Sequence, residues 1–150
     1  MGDEAWNAFV DACLMKHCDG ASVLDLRDGR VWGSSGDFGP RTYTATVTNE
    51  AGEDASERVN EADILASFGR GARHPHGLRI NRQKYMVVRL GPGQEGGTVA
   101  YGKKPMGGCC VATGAQCIVV GSFDEKLGQT AGSANVAVEK LAAYLRGVGF

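Results

Sequence analysis

Between Asp3 and His17 the positions Trp6, Phe9, Val10, Cys13, Leu14 and His17 recur at intervals of three and four, the stripe of an amphipathic helix. Gly20 is placed to stop it. Beyond that point the period shortens. ASVLDL and RVWGSS flank Arg27-Asp28-Gly29, and an Asp-Gly pair between two short apolar runs predicts a hairpin whose return strand carries Trp32. TYTATVT, residues 42–48, alternates around Tyr43, Ala45 and Val47, as a half-buried strand does. Residues 49–60, NEAGEDASERVN, are polar and acidic and read as a loop or exposed insert. Asn60 then offers an N-cap to a short helix through Ile64, Leu65 and Phe68, which Gly69 can end.

RGARHPHG is irregular by composition, and LRINR, KYMVVRL, GPGQEGG and TVAYGK after it read as successive hairpins. CCVAT and QCIVVGSF form a last pair around Gly114. That makes about six or seven short strands, and no crossover helix interrupts the later ones, so the sheet is expected to be antiparallel. The final helix opens near Ser133 as N-cap and places Val138, Leu141, Ala142 and Leu145 at i, i+3, i+4 and i+7. Terminal helices and a short middle helix can cover the apolar faces of such a sheet. The expectation is one α+β domain over residues 1–150, without internal repeat or linker.

Composition narrows the function classes. The 150 residues carry 16 basic and 17 acidic side chains, a formal charge of −1, so no global field draws in nucleic acid and any phosphate binding must be local. Hydrophobic residues at 43% and charged residues at 22% are ordinary globular usage, whereas 23 glycines without a G-X-Y period call for many tight turns. The acidic start MGDEAW does not resemble a signal peptide, and no apolar run is long enough to span a bilayer. Trp6 occupies the position where a myristoylation signal needs Ser or Thr. A soluble cytoplasmic protein is expected. Cys13, Cys18, Cys109, Cys110 and Cys117 are odd in number and lack a CxxC pair, which suits a reducing compartment and offers no metal site.

Two glycine motifs mimic nucleotide sites. Gly91, Gly93 and Gly96 spell GxGxxG, but a strand rather than a helix follows, so no helix N-terminus meets a pyrophosphate. Gly97 to Lys103 matches GxxxxGK, yet Lys104 stands where a magnesium-binding Ser or Thr is needed. A hairpin loop explains the first and a strand, whose interior alternates, the second; no cofactor is implied. Cys109 or Cys110, after Gly107-Gly108, is the one candidate nucleophile; a cysteine hydrolase and a PAS- or GAF-like ligand-sensing domain are the alternative readings.

Aromatic residues suggest a binding surface instead. Trp6 and Phe9 lie on the first helix, Trp32 on an early strand, Tyr144 on the last helix, and Phe150 ends the chain. If the terminal helices pack side by side, these five line one shallow groove of the kind that takes a polyproline II segment.

At this point the chain resembles the profilin family over most of its length, as a divergent member with an acidic insert. Ala5-Trp6-Asn7-Ala8-Phe9-Val10-Asp11 is similar to the family's opening helix, and Val31-Trp32 to its hairpin tryptophan. Gly77-Leu78, Lys84-Tyr85-Met86-Val87-Val88 and Gly102-Lys103-Lys104 with Gly107-Gly108 resemble its central strands. Gln116 to Tyr144, with Val119-Val120-Gly121, Asp124-Glu125, Asn135 and Val138-Glu139-Lys140-Leu141, resembles its last strand and helix in order and spacing. The resemblance implies a central antiparallel sheet between helices and a non-catalytic regulator of filament assembly that binds an actin monomer and proline-rich proteins such as formins. It carries the proline groove to Trp6, Phe9, Trp32, Tyr144 and Phe150, with Phe9 departing from a tyrosine often found there. It carries the actin surface to Lys84, Val87, Val88, Arg89, Lys103, Thr130, Gly132, Asn135 and Val136, with Tyr101 where an arginine is common. Phosphoinositide lipids, held by Lys84, Arg89, Lys103, Lys104 and Arg146, are a further implied partner.

Overall fold

The computed structural model describes residues 2–150. Helix α1 (Asp3–Leu14) leads into β1 (Gly20–Asp25) and β2 (Val31–Ser34), then β3 (Thr42–Thr48), β4 (Asp54–Asn60) and α2 (Glu61–Gly69). Strands β5 (Leu78–Ile80), β6 (Gln83–Pro92), β7 (Thr98–Lys104), β8 (Gly107–Thr113) and β9 (Cys117–Asp124) follow, and α3 (Ala131–Gly147) closes the chain. Seven strands form one antiparallel sheet in the order β2-β1-β9-β8-β7-β6-β5, while β3 and β4 form a separate hairpin.

The sheet is apolar on both faces. On one, Val23, Val99, Cys110, Val119 and Phe123 pack against Trp6, Val10 and Leu14 of α1 and Val138, Leu141 and Leu145 of α3. On the other, Leu24, Val111, Ile118 and Val120 pack against Ile64, Leu65 and Phe68 of α2. Each fully buried Leu, Ile or Phe contributes roughly 1.5–3 kcal/mol, so the helices are held by this packing more than by their own propensity. Adjacent Cys109 and Cys110 divide between the two faces, as the two-residue strand period requires.

Three local features differ from the sequence reading. Helix α1 ends at Leu14, not His17, and its cap is Met15; Gly20 already begins β1. The last helix is capped one turn earlier than Ser133, by Thr130, whose hydroxyl accepts the Ser133 N–H at 3.2 Å. Most consequentially, residues 54–60 are a strand paired in register with β3, from Thr42 opposite Asn60 to Thr48 opposite Asp54. Its inward positions are Ala55, Glu57 and Val59, so a charged residue interrupts the alternation that would have revealed it. Glu57 is turned inward because His76 meets it at 2.7 Å; His74 likewise meets Asp63 of α2 at 3.0 Å.

A buried carboxylate anchors the hairpin. Glu61 is fully buried at the start of α2 and accepts hydrogen bonds from the Arg41 N–H (2.7 Å), the Tyr43 hydroxyl (2.7 Å) and the Arg82 N–H (2.9 Å). One side chain thus ties α2 to β3 and to the β5–β6 turn. Asn60 and Gly29 act as expected: the Asn60 side chain accepts the Asp63 N–H, and Gly29 adopts φ +74° in the β1–β2 turn.

Candidate functional site: an aromatic surface between the terminal helices

The first turns of α1 lie across β2 at Gly33, where an added Cβ would come within 2.5 Å of Trp6 Cβ. Only glycine admits that approach. It brings Trp6 onto Trp32, with ring centroids 5.3 Å apart. The chain end is pinned to the same place. The Gln116 N–H donates to the Phe150 carbonyl, the Gln116 side chain donates to the Gly149 carbonyl at 2.8 Å, and the Phe150 N–H returns to Leu145. Gly149, at φ +95°, turns the chain off the helix so that Phe150 meets Trp6 at 5.4 Å and Trp32 at 5.9 Å.

Phe9, one turn along α1, stands edge-on to Trp6 at 6.1 Å and 6.2 Å from Tyr144 of α3. All five aromatic residues named from sequence therefore form one contiguous surface, running Tyr144, Phe9, Trp6, Trp32, Phe150. Their exposures differ. Tyr144 is 57% exposed, Phe9, Trp32 and Phe150 are half-buried, and Trp6 is 4% exposed. Trp6 is thus the floor of the surface and Tyr144 its rim. Edge-to-face rings at these separations add about 0.5–1.5 kcal/mol per pair beyond area burial, which keeps the rings rigid before any ligand arrives.

Polar groups edge the Trp32–Phe150 end, where a concavity of about 320 Å³ is lined by Asp25, Arg27, Arg30 and Gln116 as well as the rings. Arg27 grips Asp25 with two side-chain bonds, 3.1 and 3.0 Å, and its own N–H at 2.9 Å. That grip, above all the Arg27 side chain, holds the Asp25 carboxyl down to about 2, with a smaller contribution from Trp32. The depressed folded value means Asp25 contributes stability above its unfolded pKa near 4 and loses it as pH falls toward 2. In urea titrations across pH 2–5, Asp25→Asn is expected to flatten the acid limb of the stability curve. An unchanged slope in the variant would show that the fork contributes nothing.

The residues matched to an actin surface are brought together only in part. A bulge between Val87 and Arg89 breaks the β6–β7 register, leaving Val88 54% exposed. Val88, Lys103 and Asn135 line one cavity of about 360 Å³ with Tyr101, Phe123 and Ala131. Val136 (51% exposed), Gly132 and Thr130 continue it along the start of α3. Arg89 lies over the Tyr101 ring at 5.5 Å and donates to the Pro92 carbonyl at 2.8 Å. Asn135 Oδ1 is buried without a hydrogen-bond partner in the structure. Val87 is set apart: it packs on the opposite face of the sheet, against the α2 core.

Sequence reading missed Met86 on this surface, and it noted Tyr101 only as a departure, without its partner. Met86 is 64% exposed and pairs with Lys103. Tyr101 donates its hydroxyl to Glu139 at 2.6 Å, and burial, followed by that hydrogen bond, raises its pKa to about 12. Two-residue alternation points to Met86; nothing local points to the Tyr101–Glu139 pair, which spans the sheet and α3.

The five basic residues matched to phosphoinositides do not share one place. Lys84, Lys103 and Lys104 lie at the same end of the β6–β7 ladder, but Lys104 turns over the Tyr85 ring at 5.8 Å. Arg146 is at the other end, donating to the Glu95 and Thr113 carbonyls. The candidate nucleophiles are also placed. Cys109 and Cys110 are buried, and desolvation pushes Cys109 up to about 12 and Cys110 well above the ordinary thiol value. A thiol held protonated in this way packs and does not attack. Among the described residues no group of three His, Cys, Asp or Glu side chains is arranged to hold a metal ion, and no helix is long and apolar enough to cross a membrane.

A seven-stranded antiparallel sheet with both terminal helices on one face, and an aromatic seam between them, is the architecture of the profilins. The profilin family model matches residues 4–150, and the chain belongs to that family. Profilin from Schizosaccharomyces pombe superimposes with a TM-score of 0.71 at 26% identity, over 97% of this chain and 99% of that one. Acanthamoeba castellanii profilin IA gives 0.67 at 26%, over the same shares. Mouse profilin IIa, solved in complex with a double repeat from the FH1 domain of mDia1, shares the fold at 19% identity and a TM-score of 0.64, again over 97% and 99%. Membership places the chain among actin-binding regulators.

Proposed function

We propose that this profilin binds an actin monomer on the face formed by β6, β7 and the start of α3, while the aromatic surface between α1 and α3 holds a proline-rich segment. The observation that carries the second half is the unbroken contact of the five rings. Flat rings pack against proline rings, and a polyproline II segment leaves its carbonyls unpaired for donors at the edge of the surface. The mouse relative solved with an FH1 repeat supports a proline-rich partner such as a formin. A proline decamer and a scrambled control, titrated against tryptophan fluorescence, test this directly, because Trp6 and Trp32 are the only tryptophans and both lie in the surface. A saturable, decamer-specific change supports the reading; its absence removes it.

The actin half rests on the apolar centre of Val88, Met86 and Val136 with Arg89 and Lys103 around it, a composition suited to an acidic partner. Arg89→Glu is expected to weaken actin-monomer binding about tenfold or more by reversing a charge at the interface. The change should leave the decamer titration untouched. A pyrene-actin response equal to the parent's would take Arg89 out of the interface.

A further inference from the structure

The aromatic surface does not end at Tyr144. A groove of about 770 Å³ continues from Phe9 and Tyr144 between α1 and α3, past Cys13, Ala137 and Lys140, to His17 and Ser133 at its far end. There the His17 ring nitrogen and the Ser133 hydroxyl meet at 2.5 Å. The groove is mainly apolar. The charged side chain on its wall is Lys140, exposed, and among the described residues it has no salt-bridge partner and no carboxylate lines the groove.

We propose that a proline-rich ligand runs on from the aromatic rings into this groove, seating an apolar side chain from the segment flanking its proline run between Cys13 and Ala137, with an acidic residue beside it facing Lys140. The inference rests on the proline-binding reading above and deepens it. Continuity is the first argument, since Phe9 and Tyr144 belong to both the ring surface and the groove. Length is the second: the eleven positions of α3 between Ser133 and Tyr144 rise about 16 Å, which about five extended residues at ~3.1 Å each would follow. Charge is the third, because an unpaired lysine on an apolar wall without carboxylates selects an anionic neighbour. The groove shares Gly132 and Val136 with the face proposed for actin, so a ligand that fills it also reaches that partner.

Cys13 makes the groove directly observable, since it is exposed while Cys18, Cys109, Cys110 and Cys117 are buried. The experiment compares a proline decamer with the same decamer extended, at either end, by Ala-Pro-Leu-Glu-Ala. Affinity is read from tryptophan fluorescence, and groove occupancy from the rate at which a maleimide modifies Cys13. The decamer is expected to saturate the tryptophan signal and leave the Cys13 rate unchanged. One of the extended peptides is expected to bind about tenfold tighter, the worth of one buried leucine, and to slow Cys13 modification by a similar factor. Ala137→Trp, which fills the groove, should erase both gains and keep the decamer's affinity. Lys140→Glu should reduce the gain selectively.

If both extended peptides bind like the decamer and leave Cys13 equally reactive, the extension is wrong while the proline surface stands. Protection of Cys13 that rises with protein concentration alone would assign the groove to a second copy and overturn the proposal. A decamer without any fluorescence response would defeat the proline reading itself, and the extension with it.

Discussion

Replacing Glu61 with alanine is expected to destabilise the fold by about 3–5 kcal/mol, because several partly buried hydrogen-bond donors are left without an acceptor. Three donors would lose their acceptor at once: the Arg41 and Arg82 N–H groups and the Tyr43 hydroxyl. Each buried donor left unpaired costs about 1–3 kcal/mol. The loss should also be local in character. Asn81 and Arg82 sit at φ +54° and +67°, a region non-glycine residues rarely adopt, and Glu61 holds this turn through the Arg82 N–H while the Arg41 guanidinium donates to the Asn81 side chain. Hydrogen exchange should therefore quicken first in the β3–β4 hairpin and the β5–β6 turn. Glu61→Gln keeps one acceptor oxygen and should lose roughly half as much. Urea unfolding decides the matter: an alanine variant within about 1 kcal/mol of the parent would show that the hairpin is held by packing alone.

The Glu61 hub also shows where the sequence was opaque. Terminal helices, the Asp-Gly hairpin, the Asn60 cap and the later strands were legible because their signals are short in range: a helical or two-residue period, a turn pair, a capping side chain. The β4 strand was not, because its inward residues Ala55, Glu57 and Val59 are a small residue, a charge and only one large apolar group. Glu57 is tolerated inward by His76, nineteen positions away, and Glu61 by groups from Arg41 and Arg82. No window of local sequence contains those partners. The binding surface divides in the same way. Its five rings were found by type and by resemblance, but their contact depends on Gly33 under Trp6 and on the Gly149 turn before Phe150, which the sequence reading did not single out because the first is a packing between residues far apart in the chain. Val87 falls on the opposite face by the same two-residue alternation that buries Tyr85, which residue-by-residue resemblance did not weigh, whereas the bulge between Val87 and Arg89 that returns Leu90 to that face has no signal in KYMVVRL.

The burial gradient across the rings makes the second large prediction. Trp6→Ala is expected to abolish decamer binding, but Trp6 is 4% exposed and packs in the core with Val10 and Leu14. Its removal should therefore also cost about 3–5 kcal/mol of stability, and lost binding alone would not separate the groove from the fold. Tyr144 does separate them. It is 57% exposed, so Tyr144→Ala should leave stability within about 0.5 kcal/mol of the parent. As the exposed aromatic rim of the surface it should carry about 2 kcal/mol of binding, a loss of roughly thirtyfold in decamer affinity. Actin-monomer binding should be unchanged in the same variant, because Tyr144 lies outside the cavity lined by Val88, Lys103 and Asn135. Parallel fluorescence titration, urea unfolding and actin sedimentation read the three quantities. A Tyr144→Ala protein that binds the decamer as the parent does would place the ligand on the Trp32–Phe150 end alone, whereas loss of actin and decamer binding together would mean that the two surfaces are not independent.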